Sequence, residues 1–384
     1  MRTLARVSVI AALVAAFAVA PAVASAHSDH RSPVVGYVYV NDNTAPANAV
    51  AGFARHLDGT LTALPGSPFA TGGAGTASGL ASQGALQSAD HGRYLLAVDG
   101  GSNQISVLRV HRDGRLALVR SGPVSSDGAK PVSIAVHDHL VYVANAGAGG
   151  SDYTGFALTR HGRLVALPGT TFPLLDSATP GDVLFNGDGT RLVGTRVGTD
   201  QIDSFVVGSG GRLTAAPGSP YAAQGPGPFG SEFSPTDPSA LYVSNAHGGT
   251  AAGTVSAFRD GSAGALSSIG SSPFPDGQTA PCWVEISHNG RFLFTVNTGQ
   301  PSISRYAIGG DGSLALLGST GFKDPTGLAP VDARLSPAGD TLWVVGGGGK
   351  VVSAFAVRGG DLTELPSSPT ALPADSAPSG IVVL

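Results

Sequence analysis

The chain has 384 residues, of which 42% are hydrophobic and only 12% are charged, about half the usual charged share. A net charge of −4 without any basic run argues against electrostatic binding to nucleic acid or to an anionic membrane. The chain contains 56 Gly and 27 Pro but a single cysteine, Cys282, so packing rather than disulfides must stabilise a fold of many short strands and tight turns.

The N-terminal segment has the pattern of a signal peptide. Arg2 and Arg6 flank the start of an apolar run over residues 7–20, and small residues follow at Ala24 and Ala26, where a signal peptidase would cleave. The run is shorter than the ~20 residues that span a bilayer, although a membrane anchor is the alternative. We therefore expect a signal peptide over residues 1–26, a tail over residues 27–33, and a secreted protein without membrane contact after cleavage.

One pattern recurs from residue 34 to the C-terminus. Each copy has an apolar strand ending in Asn or a similar residue, a strand of the type Val-Ser-x-Phe, and a Gly-containing hairpin followed by Leu. The last residues of the apolar strands, called the anchor residues below, are 58 residues apart for the first pair and 46 to 52 apart elsewhere. They are Asn41, Asp99, Asn145, Arg196, Asn245, Asn297 and Gly346.

The repeat predicts a fold. Four short antiparallel strands in about 50 residues are typical of a propeller blade, and blades arranged in a ring bury one another's faces. Seven copies therefore predict an all-β, seven-bladed β-propeller over residues 34–384. An open β-solenoid and two β-sandwiches are the rival architectures.

The two ends of the repeat predict how the ring closes. The first copy lacks its innermost strand, whereas the segment from Ala377 to Leu384 resembles segments that open other blades, such as that from Ala280 to Ile286. We expect this C-terminal strand to pair with the N-terminal strands in one shared blade. Such pairing closes the ring and removes an exposed strand edge.

The blade motifs also carry a family resemblance. They include Leu241-Tyr-Val-Ser-Asn245, Val255-Ser-Ala-Phe258, Asp311-Gly-Ser-Leu314 and His288-Asn-Gly-Arg-Phe-Leu-Phe294. In these motifs the chain resembles the seven-bladed β-propeller lactonases, which include the propeller type of 6-phosphogluconolactonase and the fungal carboxy-muconate cycloisomerase. The resemblance covers essentially the whole predicted propeller.

The resemblance implies a lactone site with three elements. These are a His in a Pro-His-Ser segment, an Arg-His pair two blades further on, and a Glu after the anchor Asn of that blade. The aligned positions here hold Val132, Phe229 with Gly230, and Ala246. Because opening a neutral lactone needs a base or an activated water, we expect no ordinary lactonase activity.

Polar residues of the predicted inner strands are the main site candidates. The fourth residue after the opening Pro is Glu232, Glu285 and Arg334 in three successive blades, so alternation places them at one height in the channel. We consider these three as catalytic candidates. The alternative is a wet channel, or an inter-blade ion pair between Glu285 and Arg334.

Further residues are ligand-binding candidates. The second residue after the opening Pro includes Asp182, Trp283 and Asp332. Arg196 replaces the usual anchor Asn, and His247 lies in a Gly-rich loop; blade divergence and a solvated loop histidine are the alternatives. Cys282 is expected to be a small core residue.

No cofactor or metal is expected, since no motif for either appears. Cleavage after Ala26 would expose His27 and His30, a pair able to chelate copper or zinc, but a disordered tail is the simpler interpretation.

The leading hypothesis is an exported, monomeric, lactonase-like propeller. It would bind a small polar ligand, a glycan or a peptide at the channel face without ordinary lactonase chemistry. One alternative is a divergent lactonase or cycloisomerase that uses Glu232, Glu285 and Arg334 on a small carboxylated lactone. The other is a structural or adhesive propeller of the cell envelope.

Overall fold

A computed structural model describes residues 32–384, and in it the repeat forms seven antiparallel sheets. Each sheet runs from an inner strand through a second and a third strand to an outer strand. Neighbouring inner strands contact one another around a closed ring. The predicted seven-bladed β-propeller is therefore confirmed, while the predicted signal peptide and most of the tail lie outside the described residues.

The strands of the seven blades have similar lengths at each position. From blade 1 to blade 7, the inner strands are Ile381–Val383, Leu86–Ala89, Pro131–His137, Pro180–Phe185, Pro228–Phe233, Pro281–Ile286 and Pro330–Leu335. The second strands are Val34–Asn41, Tyr94–Asp99, Leu140–Asn145, Arg191–Arg196, Ala240–Asn245, Phe292–Asn297 and Thr341–Gly346. The third strands are Ala49–His56, Gln104–Val110, Asp152–Leu158, Gln201–Val207, Thr254–Asp260, Ser302–Ile308 and Val351–Arg358. The outer strands are Leu61–Ala63, Leu116–Leu118, Leu164–Ala166, Leu213–Ala215, Leu266–Ser268, Leu314–Gly321 and Asp361–Glu364.

Six blades carry a further two-residue strand that pairs with the third strand. These short strands are Phe69–Ala70, Val124–Ser125, Phe172–Pro173, Tyr221–Ala222, Phe274–Pro275 and Thr370–Ala371. Blade 6 instead extends its outer strand to eight residues. Three short 3-10 helices occur at Asp176–Ala178, Val197–Thr199 and Ser209–Gly211. Within residues 32–384, no helix has the length and apolar character needed to cross a membrane.

Glycine in the hairpin before the outer strand fixes where that strand begins. Gly114 has a φ of 79° and Gly312 has a φ of 88°. This left-handed region is open to glycine without the steric cost that a side chain adds. Leu116 and Leu314 follow two residues later as the first residues of their outer strands, as the repeat predicts.

Tyrosines of three second strands each join their blade to the next one. The hydroxyls of Tyr39, Tyr142 and Tyr242, all fully buried, donate hydrogen bonds to hairpin carbonyls of the following blade. The acceptors are the carbonyl oxygens of Gly114 at 2.7 Å, Gly211 at 2.5 Å and Gly312 at 3.0 Å. The rings thus fill the space between sheets while the phenol oxygens are satisfied.

The C-terminal strand closes the ring as predicted. Ile381–Val383 pairs antiparallel with Val34–Asn41, with Tyr39 opposite Val382. Two further backbone bonds of 2.8 Å join Tyr37 and Leu384 in both directions. Blade 1 is therefore built from both ends of the propeller, and the second strand has no free edge there.

Candidate functional site

The channel runs between two faces of the ring. We call the face at which the inner strands begin, and the second strands end, the upper face. Six residues of the connection between blades 1 and 2, Gly79 to Gly84, enter the channel from this face, and we call them the channel segment. Its backbone is fixed by hydrogen bonds from Gln83 N to Gly181 O at 2.9 Å and from Ile134 N to Gly84 O at 3.0 Å.

The side chain of Gln83 extends from the channel segment to blades 5 and 6. This buried side chain donates from Nε2 to the carbonyl oxygen of Ser231 in blade 5 at 2.9 Å. Its Oε1 accepts a hydrogen bond from Val284 N in blade 6 at 3.0 Å. Gly84 N donates to Asp332 Oδ2 in blade 7 at 3.3 Å. The channel segment therefore bonds to five of the seven blades, blades 3 to 7.

The repeat pattern does not predict the channel segment. The available signal was the interval of 58 residues between Asn41 and Asp99, which exceeds every other interval between anchor residues. The additional residues of this interval lie in the connection between blades 1 and 2, which enters the channel. Gln83 and Ser82 are thus residues of the channel that sequence reasoning missed.

Asp182 joins three neighbouring blades. Ser133 Oγ donates to Asp182 Oδ1 at 3.1 Å, and Ser231 donates to Oδ2 from both Oγ at 2.6 Å and N at 2.9 Å. Burial raises the pKa of Asp182 to about 7, although these hydrogen bonds oppose the rise. The carboxyl is therefore fully engaged by the protein, and a ligand-binding role for Asp182 stays a prediction.

Asp332 supports the channel segment. Besides Gly84 N, its carboxylate accepts a hydrogen bond from Ala333 N at 2.9 Å. Burial raises the pKa of Asp332 to about 6, and the nearby charge of Arg334 limits the rise. A direct ligand contact of Asp332 likewise stays a prediction.

Glu232, Glu285 and Arg334 meet on the channel side of three successive blades, and we call them the acid–arginine group. Arg334 Nη1 donates to Glu285 Oε2 at 2.8 Å, and Leu335 N donates to Glu285 Oε1 at 2.8 Å. The side chain of Glu285 is 7% exposed and that of Arg334 is 24% exposed. The inter-blade ion pair considered as the alternative is present.

Glu232 is the unusual member of the acid–arginine group. Ile286 N bonds to its carboxylate, but Oε2 is buried and has no hydrogen-bond partner within the described residues. Burial, reinforced by the charge of Glu285, raises the pKa of Glu232 well above its usual value, and Arg334 opposes this. Burial by itself lowers the pKa of Arg334, yet the surrounding carboxylates raise it, led by Glu285. The group therefore favours a protonated Glu232 beside an ion pair.

Trp283 lies at the upper end of the channel, against the channel segment. Its Nε1 donates to Ser82 O at 2.9 Å, and its ring meets Phe229 edge-on with centroids 5.3 Å apart. A cavity of about 260 Å³ opens beside these rings. It is lined by Gly79, Leu80, Ala81, Ser82, Phe229, Cys282, Trp283, Thr298, Val331, Ser379 and Gly380. We call it the upper cavity.

Arg196 pairs with its own blade. Its guanidinium donates from Nε and Nη2 to the carboxylate of Asp203 in the third strand, both at 2.6 Å. Other anchor residues make the equivalent contact, as Asn145 does with Asp152 at 2.7 Å. Arg196 and Asp203 thus occupy the positions that the anchor Asn and its polar partner occupy in other blades. This explains why an Arg can replace the anchor Asn in blade 4. The structure does not bring Arg196 together with the acid–arginine group.

The remaining candidates lie apart. His247 is exposed in the loop after Asn245, and its backbone N donates to Pro226 O at 3.0 Å. Cys282 is buried, as expected, and burial raises the pKa of its thiol to about 11. Over residues 32–384 no cluster of three metal-binding side chains occurs. His27 and His30 lie outside the described residues.

The positions aligned with the three elements of the family site are apolar in the structure. Val132, Phe229 and Ala246 are all buried. Phe229 and Ala246 belong to one hydrophobic cluster with Trp283 and Cys282. No acid or base occupies any of these positions.

Comparisons with known proteins agree with this architecture. Residues 124–371 match the family model described as "Lactonase, 7-bladed beta-propeller". None of the curated proteins matches.

Solved structures share the fold at low identity. A proposed 6-phosphogluconolactonase of Bacteroides uniformis is 21% identical, with a TM-score of 0.73 over 91% of this chain and 99% of that one. The periplasmic gluconolactonase of Pseudomonas aeruginosa is 17% identical, with a TM-score of 0.70 over 91% and 99% of the two chains.

Proposed function

Because the chain belongs to the seven-bladed β-propeller lactonase family, we propose that it is an exported member that binds a small ligand and lacks ordinary lactonase chemistry. The single observation that carries this proposal is the packing at Gly230, where the family resemblance implies a His. A Cβ at Gly230 would lie 2.2 Å from Gln83 Oε1 and 2.6 Å from the backbone oxygen of Cys282. A histidine therefore has no room while the channel segment is in place.

The remaining positions of the three elements support the same conclusion. Val132 and Phe229 stand in place of a His and an Arg, and Ala246 stands in place of a Glu. These side chains cannot exchange a proton or hold an anion, which lactone opening requires. Cys282 packs in the same hydrophobic cluster as Phe229 and Ala246, and the raised pKa of about 11 keeps its thiol protonated near neutral pH.

Ligand binding is supported by the space that remains. The upper cavity lies beside Phe229 and Trp283, at the mouth of the channel, and it borders the exposed residues Gly79 and Ala81. Concave sites with largely apolar walls are where small molecules bind most often. The channel segment gives this cavity one wall that is bonded to the surrounding blades.

Turnover of lactones tests the proposal. The purified protein is incubated with five- and six-membered sugar lactones, and ring opening is followed by NMR against buffer alone. We expect no rate above the uncatalysed reaction. Hydrolysis above background would overturn the proposal, and its loss in Glu285→Gln would assign the reaction to the channel carboxylates.

The alternative function is a divergent lactonase or cycloisomerase. The observation that favours it is the raised pKa of Glu232, which can act as a general acid, beside the cation of Arg334. If this alternative holds, Glu232→Gln loses turnover while its fold, followed by circular dichroism, is retained. If the binding proposal holds, Glu232→Gln has no turnover to lose.

Export is proposed from the N-terminal pattern. The basic residues Arg2 and Arg6, the apolar run and the small residues up to Ala26 support a cleaved signal peptide. N-terminal sequencing of protein collected outside the cell tests this, and we expect the sequence to begin at His27. An intact Met1, or protein confined to the cytoplasm, would contradict export.

A further inference from the structure

The upper cavity has a wall chemistry that selects its ligand. The faces of Phe229 and Trp283 stand at 64° to each other, and Leu80 and Val331 add aliphatic surface. No lining side chain among residues 32–384 carries a charge. Since Cys282 keeps its proton, it also behaves as an apolar group here.

The polar atoms of the upper cavity are already engaged by the protein. Ser82 Oγ donates to Val132 O at 2.7 Å, and Thr298 Oγ1 donates to Pro330 O at 2.9 Å. The indole Nε1 of Trp283 is held by Ser82 O. Ser379 is the one lining hydroxyl that makes no hydrogen bond within the described residues. A ligand rich in polar groups would therefore leave most of them without partners, which is costly in a desolvated site.

The upper cavity is also preformed. One of its walls, the channel segment, is bonded to blades 3 to 7, and Leu80 and Ser82 are buried. A cavity that exists before binding avoids the cost of ordering loops around a ligand. A volume of about 260 Å³ is larger than the apolar cavity of about 150 Å³ that accepts benzene in an engineered protein.

We propose that the upper cavity binds a neutral, mainly apolar ring compound with no more than one hydroxyl-sized polar group. This inference rests on the proposed binding function and narrows its ligand. The sequence favoured a small polar ligand, a glycan or a peptide, whereas the wall of the upper cavity favours an apolar molecule. The ring would lie against Phe229 and Trp283, and its polar group would face Ser379.

Calorimetric titration with matched probes tests this inference. The probes are 1-adamantanol, which is neutral, adamantane-1-carboxylate, which has the same cage and a charge, and glucono-1,5-lactone, which is polar. We expect 1-adamantanol to bind at least tenfold more tightly than either of the others, with a negative heat-capacity change. Equal or tighter binding of the carboxylate or the lactone would overturn the ligand class.

Cavity-filling variants locate the binding. Val331→Phe and Ser379→Leu fill the upper cavity from two different walls, so one remains informative if the other does not fold. Val165→Phe is the matched control, since Val165 is exposed on the outer strand of blade 3. We expect both filling variants to weaken binding of 1-adamantanol at least tenfold and the control to leave it unchanged.

The outcomes separate this inference from the proposed function. Absence of 1-adamantanol binding, or binding insensitive to both filling variants, overturns the inference alone. Lactone turnover overturns the proposed function, whichever probe binds.

Discussion

Arg334 interacts electrostatically with carboxyl groups of two other blades, those of Glu285 and Glu232. Its guanidinium bonds Glu285, and its charge opposes the rise in the pKa of Glu232. Removing Arg334 therefore leaves two acidic groups together in the channel. Breaking a buried ion pair from one side costs more than the pair contributes, because the remaining charge has no partner.

Arg334→Met is predicted to destabilise the protein by about 2 to 3 kcal/mol. The value lies below that for a fully buried pair because 24% of the Arg334 side chain is exposed. Glu285→Gln should cost about 2 kcal/mol, since its one amide oxygen can accept from Arg334 or from Leu335 N but its NH2 group then faces the other donor. Urea denaturation measures both differences.

Arg115→Met serves as the control for Arg334→Met. Arg115 pairs with Asp113 on the surface, where both side chains are more than half exposed. Exposed pairs contribute little, so no change beyond about 0.5 kcal/mol is expected. Equal effects of the two arginine variants would show that the acid–arginine group is hydrated and carries no structural charge pair.

Single residues were predictable where strand alternation decides position. Alternation placed Glu232, Glu285 and Arg334 at one height, because each follows its opening Pro by the same number of residues. It could not show that Glu285 is bonded to Arg334 and Leu335, because that depends on side-chain conformations across two blades. The role of Arg196 was equally hidden, since it depends on Asp203 as its partner.

At the scale of the strand, the buried tyrosines link successive blades. Tyr142 donates to Gly211 O at 2.5 Å and to Thr170 O at 3.2 Å, and its ring is fully buried. Phenylalanine would keep the ring contacts and leave both carbonyl oxygens without this donor.

Tyr142→Phe is therefore predicted to lower the free energy of unfolding by about 1 kcal/mol. The matched control is Tyr37→Phe, whose hydroxyl donates to Arg112 O at 2.9 Å in an exposed place, where water can replace it. Thermal unfolding of the two variants measures the difference. A control that is destabilised as much as Tyr142→Phe would contradict the role of burial.

The C-terminal strand is predicted to be essential for the ring. Deleting residues 381–384 leaves the edge of Val34–Asn41 without a partner and removes Ile381 and Val382 from two hydrophobic clusters. Exposed strand edges promote aggregation. We expect the shortened chain to be mostly insoluble, or to unfold at a much lower temperature, in a scanning calorimeter. An unchanged melting temperature would contradict closure by this strand.

The elements were predictable to the extent that they repeat. Second, third and outer strands recur with the same alternation of side chains and the same hairpin residues. Each of the seven copies therefore supports the same assignment of strands. The two-residue strands, such as Phe69–Ala70, are too short to show alternation. The channel segment was not predictable, because Gln83 finds its partner Ser231 148 residues away.

For the molecule as a whole, buried carboxyl groups determine how stability varies with pH. Burial raises the pKa of Asp332 to about 6, of Asp182 to about 7 and of Asp42 to about 8. In the unfolded chain these groups titrate near 3.9. The folded protein thus holds their protons more tightly, so protonation stabilises it, and this stabilisation is lost as pH rises through the folded-state values.

The protein is therefore predicted to be more stable near pH 5 than near pH 8, where Asp332 and Asp182 have lost their protons and Asp42 is partly ionised. Asp182→Asn mimics the neutral carboxyl and should flatten this dependence. Melting temperatures at constant ionic strength across this range provide the measurement. A melting temperature that rises steadily toward pH 8 would contradict the assignment.

The central claim is that the channel segment closes the channel and leaves the upper cavity as the binding site. A crystal structure of the protein isolated from its native source tests this most directly, because a ligand retained through purification shows which part of the channel binds it. We predict density for a compact, mainly apolar molecule against Phe229 and Trp283, with Gln83 still bonded to Ser231. A ligand in the place of Gln83, bonded to Glu232, Glu285 or Arg334, would contradict a channel closed by its own chain.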